Sequence, residues 1–304
     1  MFELPMPQLT RRACLQTMAA GVTLWPACLR GAEASRSKLS LLVVSDTHLG
    51  YRDNESAARQ WEKTAAALCE APGDLVIHLG DVVDGGRESQ YPIYLKTRET
   101  IGKPVHEIPG NHDPSELFQK YLRQQIDTTV DHQWLKLLLL GNAHTDSHDG
   151  FLSDDQNAWI EAQCQAAAQA DQFVIVCMHV PAHANKHPDR GWYVHPDAGQ
   201  TQLYETLAKY KDRVLAMWHG HFHNGIRGWE DHSPLQETLF PSALYNQDRK
   251  LAEQQAPGYN LLEFRPGFTQ VTIDGEKLQL QYVPVGHAEQ PAVKELPLVQ
   301  LKSS

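Results

Sequence analysis

The chain alternates short apolar runs with stretches whose apolar positions recur at helical spacing. Residues 38–46 (KLSLLVVSD), 74–81 (DLVIHLGD), 105–110 (VHEIPG), 172–179 (QFVIVCMH) and 213–220 (RVLAMWHG) are brief and aliphatic, which predicts buried strands. Between them, Glu55–Cys69, Ser153–Ala170 and Gln200–Lys211 follow a helical period. Ser153 stands three residues before Gln156, a capping-box start for the second helix. YNLLEF (259–264), TQVTID (269–274) and KLQLQYV (277–283) read as further strands, the last two joined by a hairpin at Asp274-Gly275. Strands alternating with helices, then strands in succession, predict an α/β fold layered around two sheets.

The first five strands share one property: each ends in polar residues of a similar kind. These are Asp46-Thr47-His48, Gly80-Asp81-Val82-Val83-Asp84-Gly85, Gly110-Asn111-His112-Asp113, His179, and Gly220-His221-Phe222-His223. The carboxyl ends of strands in an α/β sheet face the functional crevice. Carboxylates and imidazoles gathered there would cost several kcal/mol without a compensating charge. A cation supplies one. Mixed N and O donors without thiolate suit Zn, Mn or Fe, and so many imidazoles disfavour Ca²⁺ or Mg²⁺. At least seven candidates exceed the three or four protein ligands of one metal, which points to two.

Composition narrows the class. With 304 residues, 41% of them hydrophobic, the chain can form one large domain. A net charge of −10 argues against nucleic-acid binding, which needs basic surface. No apolar run is long enough to span a membrane. Residues 1–34 contain Arg11-Arg12, an apolar stretch from Ala13 to Ala27 and Ala32-Glu33-Ala34. That order predicts a twin-arginine-type signal peptide and export to the periplasm or medium; a lipid anchor at Cys28 is the alternative. The expected organisation is signal 1–34, catalytic domain 35–290 and a C-terminal tail 291–304. Cys69, Cys164 and Cys177 form no C-x-x-C pair, so neither a disulfide framework nor a thiolate site is expected.

Asp-x-His, Gly-Asp-x-x-Asp, Gly-Asn-His-Asp, a lone His after a strand and Gly-His-x-His, in that order, resemble the calcineurin-like metallophosphoesterases. The motifs span residues 40–225, and the strand pattern continues to about 283. The resemblance implies a four-layer αββα sandwich of two mixed sheets flanked by helices, with the metal site at strand C-terminal ends. It implies one metal on Asp46, His48, Asp81 and His223, and a second on Asp81, Asn111, His179 and His221, drawn from Fe, Mn or Zn. A hydroxide bridging the two would attack the phosphorus of a small phosphoester, with His112 protonating the leaving group and Asp84 orienting His112. Asp113, before Pro114 and a new helix, reads as a structural hydrogen-bonder. His78 and His219 read as packing residues, and His144 and His148 as surface residues.

Finer features place the chain within the family. Asp84 stands where purple acid phosphatases have an iron-binding tyrosine, and Gly85-Gly86 stand where protein Ser/Thr phosphatases have Arg-Gly. GDVVDGGRESQY and GFLSDDQNAWIEAQ look like the class III cyclic-nucleotide phosphodiesterase branch, although Val180 replaces a histidine often present there. A phosphodiesterase is therefore expected ahead of a monoesterase. The alternative is a non-catalytic metal- or partner-binding protein on the same fold. The loop that follows His179 offers Arg190, Trp192 and Tyr193 as substrate contacts, together with His183, His187 and His195. Tyr245 and Asn246 follow the last ligand and are further candidates.

Overall fold

A computed structural model describes residues 36–184, 191–229, 235–246, 261–298 and 300–301. The predicted signal peptide, Arg190 and His187 lie outside the described residues. The first sheet gathers β1 (Leu39–Val44), β2 (Leu75–His78) and β3 (Val105–Glu107). The second gathers β4 (Thr128–His132), β5 (Leu135–Leu140), β6 (Phe173–Met178), β7 (Val214–His219), β8 (Arg227–Trp229) and β9 (Glu237–Leu239). The chain then returns to the first sheet with β10 (Gly267–Asp274), β11 (Lys277–Pro284) and β12 (Lys294–Pro297). The strand orders are β12-β11-β10-β1-β2-β3 and β4-β5-β6-β7-β9-β8. Both sheets are mixed: β1, β2 and β3 run parallel while β10 joins β1 antiparallel, and β5, β6, β7 and β9 run parallel between antiparallel edges.

Side-chain parity builds the layers. Leu39, Leu41 and Val43 of β1 share a core with Leu135, Leu137 and Leu139 of β5 and with Phe173, Ile175 and Cys177 of β6, so the sheets pack face to face. Leu42 and Val44 point the other way, onto Trp61 and Leu68 of α1 (Asn54–Glu70) and Tyr91 and Tyr94 of α2 (Gln90–Arg98). A short α3 (Ser115–Tyr121) follows. Leu138, Val174 and Val176 meet Ile160 of α4 (Asp154–Gln169) and Leu203 of α5 (Gln200–Lys209). This is the expected αββα sandwich. Strands buried on both faces explain why the sequence shows continuous apolar runs and not alternation; each fully buried aliphatic side chain contributes about 1.5–3 kcal/mol.

The capping box forms as expected: Ser153 Oγ accepts the Gln156 N–H at 3.1 Å and Gln156 Oε1 accepts the Ser153 N–H at 3.0 Å. Cys177 is a buried core residue, and its burial pushes the thiol pKa up. Two expectations change. Within YNLLEF, Leu261–Phe264 forms a 3₁₀ turn in place of a strand, because the Glu263 carboxylate turns inward to accept the Ile226 N–H at 2.9 Å and pair with Lys294 at 2.8 Å. Residues 291–304, expected as a tail, carry β12, which hydrogen-bonds to β11 and extends the first sheet. Among the described residues, no helix is long and apolar enough to cross a membrane.

Candidate metal centre

The polar strand ends meet where the two sheets open. Chain reversal just past β1, β2 and β7 forces backbone strain: Asp46, His48, Asp81, His221 and His223 all have positive φ, five of the eight such non-glycine residues described. Each such conformation costs about 1–3 kcal/mol and persists where surrounding bonds enforce it. Here they do. The Asp46 and His48 N–H groups donate to the carbonyls of Gly80 and Asp81, both at 2.9 Å, and the Gly220 N–H donates to the His179 carbonyl at 3.1 Å. Asp113 accepts the N–H groups of Gly110, Val82 and Val83 at 2.9, 3.0 and 3.1 Å, the structural role expected of it. Two glycines leave space for ligands: a Cβ on Gly110 would lie 2.1 Å from Asp81 Oδ1, and one on Gly220 would lie 2.1 Å from Ser45 Oγ.

Two buried groups of ligand-type atoms result, each within 4.8 Å of one another: Asp46, His48, Asp81 and His223, and Asp81, His179 and His221. Asp81 belongs to both. In the first, His223 Nε2 lies 2.9 Å from Asp46 Oδ1 and 3.1 Å from His48 Nε2, with His48 Nε2 3.4 Å from Asp81 Oδ2. In the second, His179 Nε2 lies 3.2 Å from both Asp81 Oδ2 and His221 Nδ1. Asn111 Oδ1 is buried beside them without a hydrogen-bond partner, which a buried amide oxygen rarely tolerates. Three of the four imidazoles have their outer nitrogen occupied: His48 Nδ1 faces Asp84 Oδ1 at 3.1 Å, His179 Nδ1 the Leu79 carbonyl at 2.7 Å, and His223 Nδ1 the Tyr245 carbonyl at 3.0 Å. Protons on those outer atoms leave the inner lone pairs for a cation. The donor set fits one well.

Electrostatics in the metal-free protein show what a cation would replace. Burial opposes ionisation of Asp46 and Asp81, yet His223 beside Asp46, and His179 and His48 beside Asp81, hold both carboxyls well below the usual range. Burial pulls His48 and His179 down, but Asp81 and Asp46 overcome it and lift them to about 10 and about 9. Both therefore carry protons at neutral pH. Raised folded pKa values mean that these ion pairs contribute stability fully below about pH 6.5, and that this is lost as pH rises through about 9–10. Cations must displace the protons. His221 is pulled well below 6.5 by burial and by the charge on His179.

His112, half-buried, lies at the edge of the cluster with Nδ1 3.3 Å from Asp84 Oδ1. Asp84 also reaches His48, a link the sequence analysis does not contain, so one carboxylate braces the candidate acid and a candidate ligand together. Burial opposes its ionisation, but the hydrogen bonds to His112 and His48 hold its pKa low. A cleft of about 180 Å³ is lined by cluster residues together with Tyr245, which lies beside His223, and Trp192 and His148, which lie beside His221.

The other candidates separate. Tyr245 stacks on Tyr51 with centroids 4.5 Å apart and also lies 4.5 Å from His223. Tyr193 turns instead to His195, at 4.2 Å, and does not line the cleft. Asn246 is a brace, not a cleft residue: its Oδ1 accepts the Ser242 N–H at 2.8 Å and its Nδ2 donates to the Ser242 and Arg265 carbonyls. His195 faces Asp149, and His183 is buried with its N–H donated to Glu237. His219 stands apart from both groups, with Nδ1 3.2 Å from the Met178 carbonyl and Nε2 3.3 Å from Glu237. Burial pulls His78 down to about 3, and its nitrogens are met by Thr47 and the Gly80 N–H. His148 is exposed as expected, yet its ring faces the cleft; nothing in the local pattern of NAHTDSHDG distinguishes it from His144.

Residues 39–225 match the family model described as calcineurin-like phosphoesterase. The chain belongs to that family. Among individual proteins, this chain is 30% identical over 159 residues to the glycerophosphodiester phosphodiesterase GpdQ of Enterobacter lignolyticus, covering 46% of this chain and 56% of that relative. It is 26% identical over 246 residues to the 3′,5′-cyclic adenosine monophosphate phosphodiesterase CpdA of Pseudomonas aeruginosa, covering 75% of this chain and 86% of that one. Among solved structures, a dimetal phosphatase from Danio rerio superposes with a TM-score of 0.60 at 14% identity over 86% of this chain and 98% of the other. A purple acid phosphatase from yellow lupin gives 0.66 at 15% identity over 88% and 55%. At those identities the two structures show a common fold.

Proposed function

We propose that this phosphoesterase uses two metal ions to hydrolyse small phosphodiesters. The observation that carries the reading is the pair of buried ligand groups sharing Asp81, with the unpartnered Asn111 Oδ1 beside them. Asp46, His48, Asp81 and His223 would hold one ion, and Asp81, Asn111, His179 and His221 the other, drawn from Fe, Mn or Zn. Bound there, the ions supply Lewis acidity toward the phosphoryl oxygens and toward water. The protein's own groups do the rest. Asn111 contributes a neutral ligand, which limits negative charge where an anionic substrate must enter. Asp84 orients the His112 ring through Nδ1 and balances the charge of its imidazolium form, whose Nε2–H would protonate the departing alkoxide. Aromatic residues beside each ligand group suit an ester with two substituents.

The test compares two substrates on protein stripped of metal and reloaded with Mn²⁺. Bis(p-nitrophenyl) phosphate is expected to turn over faster than p-nitrophenyl phosphate. A reversed preference would overturn the diesterase reading, and inactivity with every divalent metal would overturn the enzyme reading itself.

The proposal extends to export through residues 1–34, supported by Arg11-Arg12 ahead of an apolar stretch and Ala32-Glu33-Ala34. Fractionated cells should hold the protein outside the cytoplasm, and Arg11→Lys with Arg12→Lys should retain it inside. Cytoplasmic wild-type protein contradicts export.

A further inference from the structure

Beside the cleft runs a larger groove of about 720 Å³. His112, Trp192 and His148 line both spaces, whereas Tyr245 lines the cleft alone. The aromatic walls are therefore not equivalent. Trp192 and His148 stack with centroids 4.2 Å apart and planes 20° from parallel, and the indole lies 5.2 Å from the His221 ring. His112 lines the cleft and the groove alike, so a leaving oxygen within its reach has the groove open to its substituent.

The stacked pair is built into the fold. The loop bearing His148 is joined to the loop bearing Trp192 by the Gly150 N–H on the Tyr193 carbonyl at 3.2 Å, and the Val194 N–H on the Pro181 carbonyl at 3.0 Å ties the second loop to the residues just past β6. Fully buried Asn142 anchors both to the residue after His179: its Nδ2 donates to the Val180 carbonyl at 2.7 Å and its Oδ1 accepts the Val180 N–H at 3.1 Å. Gly150 permits the approach, since a Cβ there would lie 2.8 Å from Val194 Cγ2. A flat surface held this firmly beside a ligand loses little freedom when a second ring stacks on it.

We infer that the Trp192–His148 stack is a specificity platform that binds a planar aromatic group on the leaving alcohol of the substrate. The inference rests on the phosphodiesterase reading above and goes further by naming the side of the ester that is read and the residues that read it. Tyr245, which lines the cleft alone, is left to face the retained ester group.

Methyl p-nitrophenyl phosphate tests this, because its only ring is on the leaving group. Kinetics on the Mn²⁺-loaded full chain, with metal content measured for each variant, are compared with those for glycerophosphoethanolamine, an ester without a ring. Trp192→Ala should raise KM for the aryl ester roughly tenfold, as loss of an aromatic pair would. It should also lower the aryl-over-alkyl preference in kcat/KM by a similar factor; Trp192→Phe should keep most of both. An unchanged preference in a fully loaded Trp192→Ala variant overturns the platform. So does an equal fall for both esters with depleted metal, which would make Trp192 only a packing partner of His221. Loaded wild-type protein that cleaves neither ester contradicts the functional reading instead.

Discussion

Asp81→Asn is expected to reduce kcat for bis(p-nitrophenyl) phosphate by at least about 10³-fold, the upper range for losing a preorganised electrostatic group, and to lower the metal content of the protein. The substitution preserves volume and leaves an oxygen that can still accept the His112 N–H, now 2.9 Å from Asp81 Oδ1. What it removes is the charge common to both ligand groups. In the metal-free state that charge also balances the protons on His48 and His179. One substitution should therefore weaken both ions together. Loss of one ion only, with the other at full occupancy, would show that Asp81 serves a single site. Activity within tenfold of wild type would remove it from the centre altogether.

His112→Ala should act on a different step. Metal content should stay at the wild-type level, because His112 lies outside the two groups that share Asp81. The activity lost should fall in the range of about 10²–10⁴ typical of a general acid, and it should depend on the leaving group. An alkoxide needs a proton to depart, whereas p-nitrophenolate scarcely does. The variant should thus retain far more activity on p-nitrophenyl esters than on alkyl diesters. Equal losses on both would reassign His112 from proton donation to holding the phosphate.

Much of the centre was legible in the sequence because its chemistry is local. Asp46 and His48, Asp81 and Asp84, Asn111 and His112 lie within a few residues of a strand end, so strand prediction places them together. In AMWHGHFHNG, three histidines look alike, yet strand β7 ends at His219 and the chain reverses with positive φ at His221 and His223. The first is turned to Glu237, and the other two enter different ligand groups. Gly220 makes that divergence possible by leaving room against Ser45 and Asp46.

What was not legible depends on contacts between distant loops. Asp84 reaching His48 as well as His112, and His148 stacking on Trp192, follow from how separate strand ends pack, and no local spacing encodes either. Tyr193 and Asn246 failed as cleft residues for the converse reason: nearness in sequence to a ligand does not decide which way a side chain turns. Among the fold elements, β5 (LKLLLL) is apolar but for Lys136, and so short a run has no periodicity that distinguishes strand from buried helix. β12, four residues with alternating half-buried and exposed positions, acquires its identity from pairing with β11. Glu263 converts an apolar stretch into a turn through a long-range bond to Ile226, which composition cannot foretell.

Calorimetric titration of protein stripped of metal with Mn²⁺, in buffers of different ionisation enthalpy, tests most directly whether these side chains form a two-ion centre. Two ions are expected to bind per chain. A buffer-dependent heat is also expected near neutral pH, as His48 and His179 give up protons held at pKa values of about 10 and about 9. Binding of one ion or none, or of two with no proton released, would contradict such a centre.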